Sequence, residues 1–176
     1  MTITTHAVIG AAIGSSLGNH LVGFVAGAAS HFLVDMIPHG DSSHVACFHQ
    51  AHHSKKGWLS FLMLDAMLAM LVIIILFNVE IYQSRLTFSL TIIGSILPDA
   101  LVGLYEVSRN QLLGYYNRFH FFFHNFFSRR VGDMKFRYAL ILPAIFVLFL
   151  IKKLMKNGLD LRLTLFRSSI RRQGRG

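Results

Sequence analysis

The chain has 176 residues, room for one compact domain, and 53% are hydrophobic against only 14% charged. Soluble domains carry about a quarter charged residues, so together with a mean hydropathy of +0.52 the composition puts a membrane protein first. Cys47 is the only cysteine, which excludes a disulfide framework and CxxC zinc motifs. The net charge of +9 sits largely in the last quarter without an aromatic–basic module, which argues against a nucleic-acid binder.

Residues 5–17 and 21–37 are apolar and are separated by Gly18-Asn19-His20, a turn signal. They predict a helical hairpin. Gly10, Gly14 and Gly18 recur every four residues in line with His6; Gly23 and Gly27 do so in line with His31 and Asp35. Small residues at that spacing allow close helix approach, so the polar residues that continue each stripe are expected to face the partner helix of the hairpin rather than lipid. The first residues lack a basic n-region, so no cleavable signal peptide is expected.

From Pro38 to Lys56 the chain is polar and histidine-rich and reads as a loop. Residues 58–77 match the hydrocarbon thickness and are the cleanest span, interrupted by Asp65. Residues 86–105 are a second span candidate, interrupted by Pro98 and Asp99. Residues 117–127 predict a short aromatic helix, and 138–151 an apolar segment at the short limit for spanning. The division is a membrane-embedded helical domain, 1–155, followed by a basic tail, 156–176, lying on a surface or disordered. Lys and Arg flank both ends of the bundle, so the positive-inside rule fixes no orientation.

Threaded as alternating antiparallel helices, these segments bring His6, His31, Asp35, Asp65, Asp99, His120 and His124 to one end. His31 and Asp35, like His120 and His124, are four apart and share a helix face. Imidazole and carboxylate at such spacing suit a divalent metal such as zinc, and burying them without a partner is expensive. The metal-ligand candidates are His6, His31, Asp35, Asp99, His120 and His124, enough for one or two ions with Asp99 or Asp35 bridging. The alternatives are a hydrogen-bonded pair for His31 and Asp35, a helix N-cap after a proline break for Asp99, and packing among phenylalanines for the histidine pair. Glu106 shares a face with Asp99 and is either a general base or an interfacial charge. Asp65 is a ligand, an orienting group for a histidine or an interhelical hydrogen-bonding group, the last two together being favoured. His39 and Asp41 are an added ligand or substrate contact, or ordinary turn residues. Cys47 is a soft ligand or an incidental loop thiol, the latter being favoured, and His44, His49, His52 and His53 read as a flexible histidine-rich loop.

The segments THAVIGAAIG, ASHFLVDMIPHGD, ILPDA and FHFFFHNFF resemble the membrane-bound metal-dependent hydrolases, an inner-membrane family whose best-known member is described as LexA-regulated. His6 matches the family's early histidine, His31 and Asp35 its SHxxxD element, Asp99 its PD aspartate, and His120 and His124 its paired histidines. The SHxxxD element comes first here rather than last, Ala100 to Gly103 lack the second half of the PD-x-DH element, and Asn125 replaces a serine. A more remote likeness is to the zinc-dependent phospholipase C and P1-nuclease class. The resemblance implies a multi-pass protein of the cell (inner) membrane with hydrolase activity.

The expectation is therefore an all-α integral membrane helical bundle with a metal site at one end, binding one or two divalent ions, zinc first among them. Its chemistry would be hydrolysis by metal-activated water, with Asp99 and Glu106 in catalytic roles. Its partners would be membrane lipid and a phosphoester or lipid-linked substrate. The rivals are a non-catalytic metal-binding membrane protein, marked by all-protein coordination, and a metal or proton transporter using Asp65 and Asp99 as a path.

Overall fold

The computed structural model describes residues 2–38, 55–132, 141, 144–145, 147–156 and 158. All their regular secondary structure is helical. In chain order the helices are α1 (Ile3–Gly14), α2 (His20–Asp35), α3 (Lys55–Val79), α4 (Arg85–Ser108), α5 (Gln111–His124) and the single turn α6 (Ser128–Val131). Residues 147–156 are also helical. His39, Asp41, His44, Cys47, His49, His52, His53 and the tail from 159 onward lie outside the described residues.

Short polar side chains begin most of these helices, as expected where the first N–H groups lack helical partners. Asn19 Oδ1 accepts from the N–H groups of Leu21 and Val22 at 3.0 and 3.1 Å. Ser84 and Asn110 do the same for α4 and α5. The cap at Asn110 starts α5 several residues earlier than the aromatic run alone suggests. At the other end of α4, Arg109 adopts the left-handed conformation (φ 52°), and its N–H closes the last turn on the carbonyl of Tyr105.

α4 is the central element and packs against α1, α2 and α5. Its buried face repeats Thr87, Thr91 and Ser95 at intervals of four, leading to Asp99. The glycine stripes of α1 and α2 both turn toward this helix, not toward each other across the hairpin as the sequence suggests. At Gly27 a β-carbon would run into the backbone carbonyl of Thr91, and at Gly10 into the hydroxyl of Ser95. Glycine at these positions is therefore what lets two helices reach α4 at backbone distance. α4 also continues through Pro98. Asp99 is thus a mid-helix residue, and the alternative of a helix N-cap after a break at Pro98 does not hold.

An apolar core fills the other side of α1, where Ala7, Val8 and Ala11 meet Ala69, Val72 and Leu76 of α3, Phe88 and Ile92 of α4, and Val147 and Leu154. Phe77, Tyr82 and Phe88 form an aromatic cluster with ring centroids 5.0–5.6 Å apart. Among the described residues, α4 is the one helix long and apolar enough to cross a membrane, with a mean hydropathy of 1.6. Ile3–Gly14, His20–Asp35 and Met63–Val79 are apolar but shorter.

Candidate metal centre

The start of α1, the end of α2 and the second half of α4 come together, and α5 packs against α2 and α4. There His31 and Asp35 of α2, Asp99 of α4 and His120 of α5 each contribute one ligand atom, all within 4.8 Å of one another. His31 Nε2 lies 3.2 Å from Asp35 Oδ2 and 3.6 Å from Asp99 Oδ1. His120 Nε2 lies 3.7 Å from the same oxygen of each carboxylate. A tetrahedral ion with bonds of about 2.0–2.1 Å has ligand–ligand edges of about 3.4 Å, so these spacings fit one divalent cation.

Hydrogen bonding fixes which atom of His31 faces the group. Its Nδ1 is 2.8 Å from the backbone carbonyl of Ser95. A carbonyl only accepts, so Nδ1 carries a proton and Nε2 is the nitrogen turned toward the carboxylates. That Nε2 is fully buried and has no hydrogen-bond partner. A histidine held by a carbonyl on one nitrogen and bare on the other has the usual arrangement of a metal ligand. Pro98 lies just beyond Ser95; lacking an N–H and crowding the preceding turn, it loosens the helical ladder where this extra bond is made. The Ser95 hydroxyl is 2.9 Å from the carbonyl of His6 and 2.8 Å from that of Ile92, and shares its proton between them.

The electrostatics point the same way. Asp35 is buried and Asp99 has a quarter of its side chain exposed. Two carboxylates in one such group repel, and a positive charge beside them, from a cation or a protonated imidazole, relieves the repulsion. On α5, burial holds the His120 imidazole down at about 4, with Asp99 and Asp35 opposing the shift; its nitrogen is therefore neutral and available as a ligand at neutral pH. Burial, reinforced by the negative charge of Asp99 and Asp35, pushes the Tyr116 phenol up to about 12. One turn before His120, Tyr116 thus keeps an O–H donor at the edge of the group.

The remaining sequence candidates fall in different places. His6 is buried against the group, its ring stacked on His31 with centroids 4.1 Å apart, and Nε2 lies 3.1 Å from Asp35 Oδ1. His124 is buried one turn beyond His120, with ring centroids 5.8 Å apart, and is outside the four-atom group. Glu106, expected as a general base, lies two turns beyond Asp99 and is ion-paired with Arg109 at 2.6 Å on the surface. Asp65 binds the start of α1, accepting from the N–H of Ile3 at 2.6 Å and from the Thr4 hydroxyl at 2.7 Å. It is the interhelical hydrogen-bonding group among its alternatives.

Ser95 and Tyr116 escaped the sequence reading. Each sits four residues before a member of the group, Ser95 before Asp99 and Tyr116 before His120. The repeat Thr87, Thr91, Ser95, Asp99 in an otherwise apolar helix was the signal for Ser95.

No family model matches the chain, and no curated protein or solved structure matches it either.

Proposed function

We propose that this protein is a membrane-embedded metal-dependent hydrolase acting on a phosphoester or lipid-linked substrate. The observation that carries the reading is the convergence of His31, Asp35, Asp99 and His120, from three helices, on a space of metal-ion dimensions. A divalent cation bound there would polarise a scissile bond and activate water. The protein's own contribution is to hold two imidazoles and two carboxylates together, with His31, Asp35 and His120 buried and Asp99 a quarter exposed. The motif resemblance supports the hydrolase assignment.

Membrane embedding is supported by α4 and by the outer face of α3. Met63, Leu64, Met67, Leu68, Met70, Leu71, Ile74 and Ile75 are all exposed, a larger apolar surface than water-facing proteins carry. α5 adds the exposed aromatics Tyr115, Phe119 and Phe122 beside Arg118, and α6 adds Arg129 and Arg130. Residues 110–132 contain no acid, a composition suited to an anionic headgroup layer. We infer a multi-pass protein of the cell membrane, with its metal centre near the interface.

A second reading has one specific observation in its favour. Four protein ligands are enough to close a tetrahedral zinc site, and closed sites are structural. Asp99→Asn separates the readings when tested on a phosphodiester and a phosphomonoester in detergent. Lost turnover, with helicity retained and the metal gone, supports the enzyme. Wild-type protein that holds its metal, melts at a lower temperature without it and turns over neither ester supports the structural role.

A further inference from the structure

Each carboxylate of the cluster divides its two oxygens between two sides. Asp35 Oδ2 and Asp99 Oδ1 face His31 and His120, as described above. The other oxygens face His6: Asp35 Oδ1 is 3.1 Å and Asp99 Oδ2 is 3.9 Å from its Nε2. These distances bracket the edge of about 3.4 Å expected around one ion. His6 and Asp35 are each only 1% exposed here, whereas a quarter of the Asp99 side chain is open.

We propose that the centre takes two divalent cations, the second held by His6, Asp35 Oδ1 and Asp99 Oδ2, with both aspartates bridging. The proposal rests on the reading of the His31–His120 cluster as a metal centre. It also resolves the tension with a closed site. The first position has four protein ligands and the second has three, which is the ligand number of catalytic zinc with an exchangeable place. Two divalent ions against two carboxylates and neutral imidazoles leave a net charge of +2. A dianion balances that charge. The class of ligand is therefore a phosphate group carrying two charges, entering from the side where Asp99 is exposed; two-ion clamps suit phosphoryl oxygens.

His6 is the residue to test, because a histidine serving only as a hydrogen-bond donor to Asp35 would leave one ion. The purified full chain is stripped with chelator in detergent, reloaded with Zn2+ and analysed for metal per chain. It is reloaded in parallel with Mn2+ for electron paramagnetic resonance. The expected result is two ions and an exchange-coupled Mn2+ spectrum in wild type, against one ion and an isolated six-line spectrum in His6→Gln. Inorganic phosphate should bind the reloaded wild type and not the one-ion variant. Glutamine keeps an N–H for Asp35; His6→Asn is the substitute if His6→Gln loses its helicity. One ion in wild type, two ions retained in the folded variant, or phosphate binding that ignores the second ion overturns the proposal. Of these, one ion in wild type leaves the first site standing. No ion in wild type removes both.

Discussion

Asp65 and Asp99 are two aspartates in apolar helices, and the groups around them are opposite in kind. Asp65 meets donors: the N–H groups of Ile3 and Thr4 and the hydroxyl of Thr4. The protein alone satisfies it, and the positive end of α1 favours its charge. Asp99 meets His31 and His120, with Asp35 beside them. The Nδ1–H of His31 is committed to the Ser95 carbonyl, so it is Nε2 that faces Asp99 and Asp35. An acid in an apolar helix is thus no signature of a site by itself. The donor or acceptor character of its neighbours decides whether a cation is required.

That contrast can be broken by substitution. The largest effect is expected at the ligand end. His31→Ala should weaken metal binding by more than about 100-fold, beyond the 10–100-fold typical of outer-shell partners. The check is metal retained after dialysis, with circular dichroism to confirm the helices. Next is the seam on which both ligand-bearing helices rest on α4. Gly27→Ala places a methyl against the Thr91 carbonyl and should cost roughly 1–3 kcal/mol, read as a lower thermal midpoint in detergent. Asp65→Ala should cost about 2 kcal/mol by uncapping α1, with metal affinity changed by no more than a few-fold. Metal loss there equal to that of His31→Ala would erase the distinction between the two aspartates. The smallest effect is expected for Ser95→Ala, about 1 kcal/mol for one hydroxyl bond. The carbonyl that orients His31 belongs to the backbone and survives, so metal binding should be unchanged.

The sequence carried the ligand end further than it carried the packing. His31 and Asp35 could be read together because a spacing of four fixes one helix face. Asp99 and His120 could be added because antiparallel helices with short connections return to the same end. The stripe glycines were visible too, but not their partner: spacing identifies a face, whereas what that face meets depends on a helix some 70 residues away. Pro98 kept a helix cap open as the alternative for Asp99 for a related reason. Its local preference is to break a helix, and the packing of α1 and α2 around α4 outweighs it. The role of Asp65 was open because amides at the start of another helix leave no mark in its own segment. Ser95 acts through a carbonyl that every residue has, so its side chain gave only the weak signal of a polar repeat.

The central claim is that a divalent ion sits among histidine and aspartate side chains at the meeting of α2, α4 and α5. X-ray absorption at the zinc edge, on the purified full chain reloaded with Zn2+, tests it most directly. The account predicts nitrogen and oxygen neighbours at about 2.0–2.2 Å with imidazole outer-shell scattering, and loss of that spectrum in His31→Ala. Failure to take up zinc would contradict it, and so would a sulfur neighbour at about 2.3 Å, which would place the ion on Cys47, the chain's only cysteine, or on a methionine.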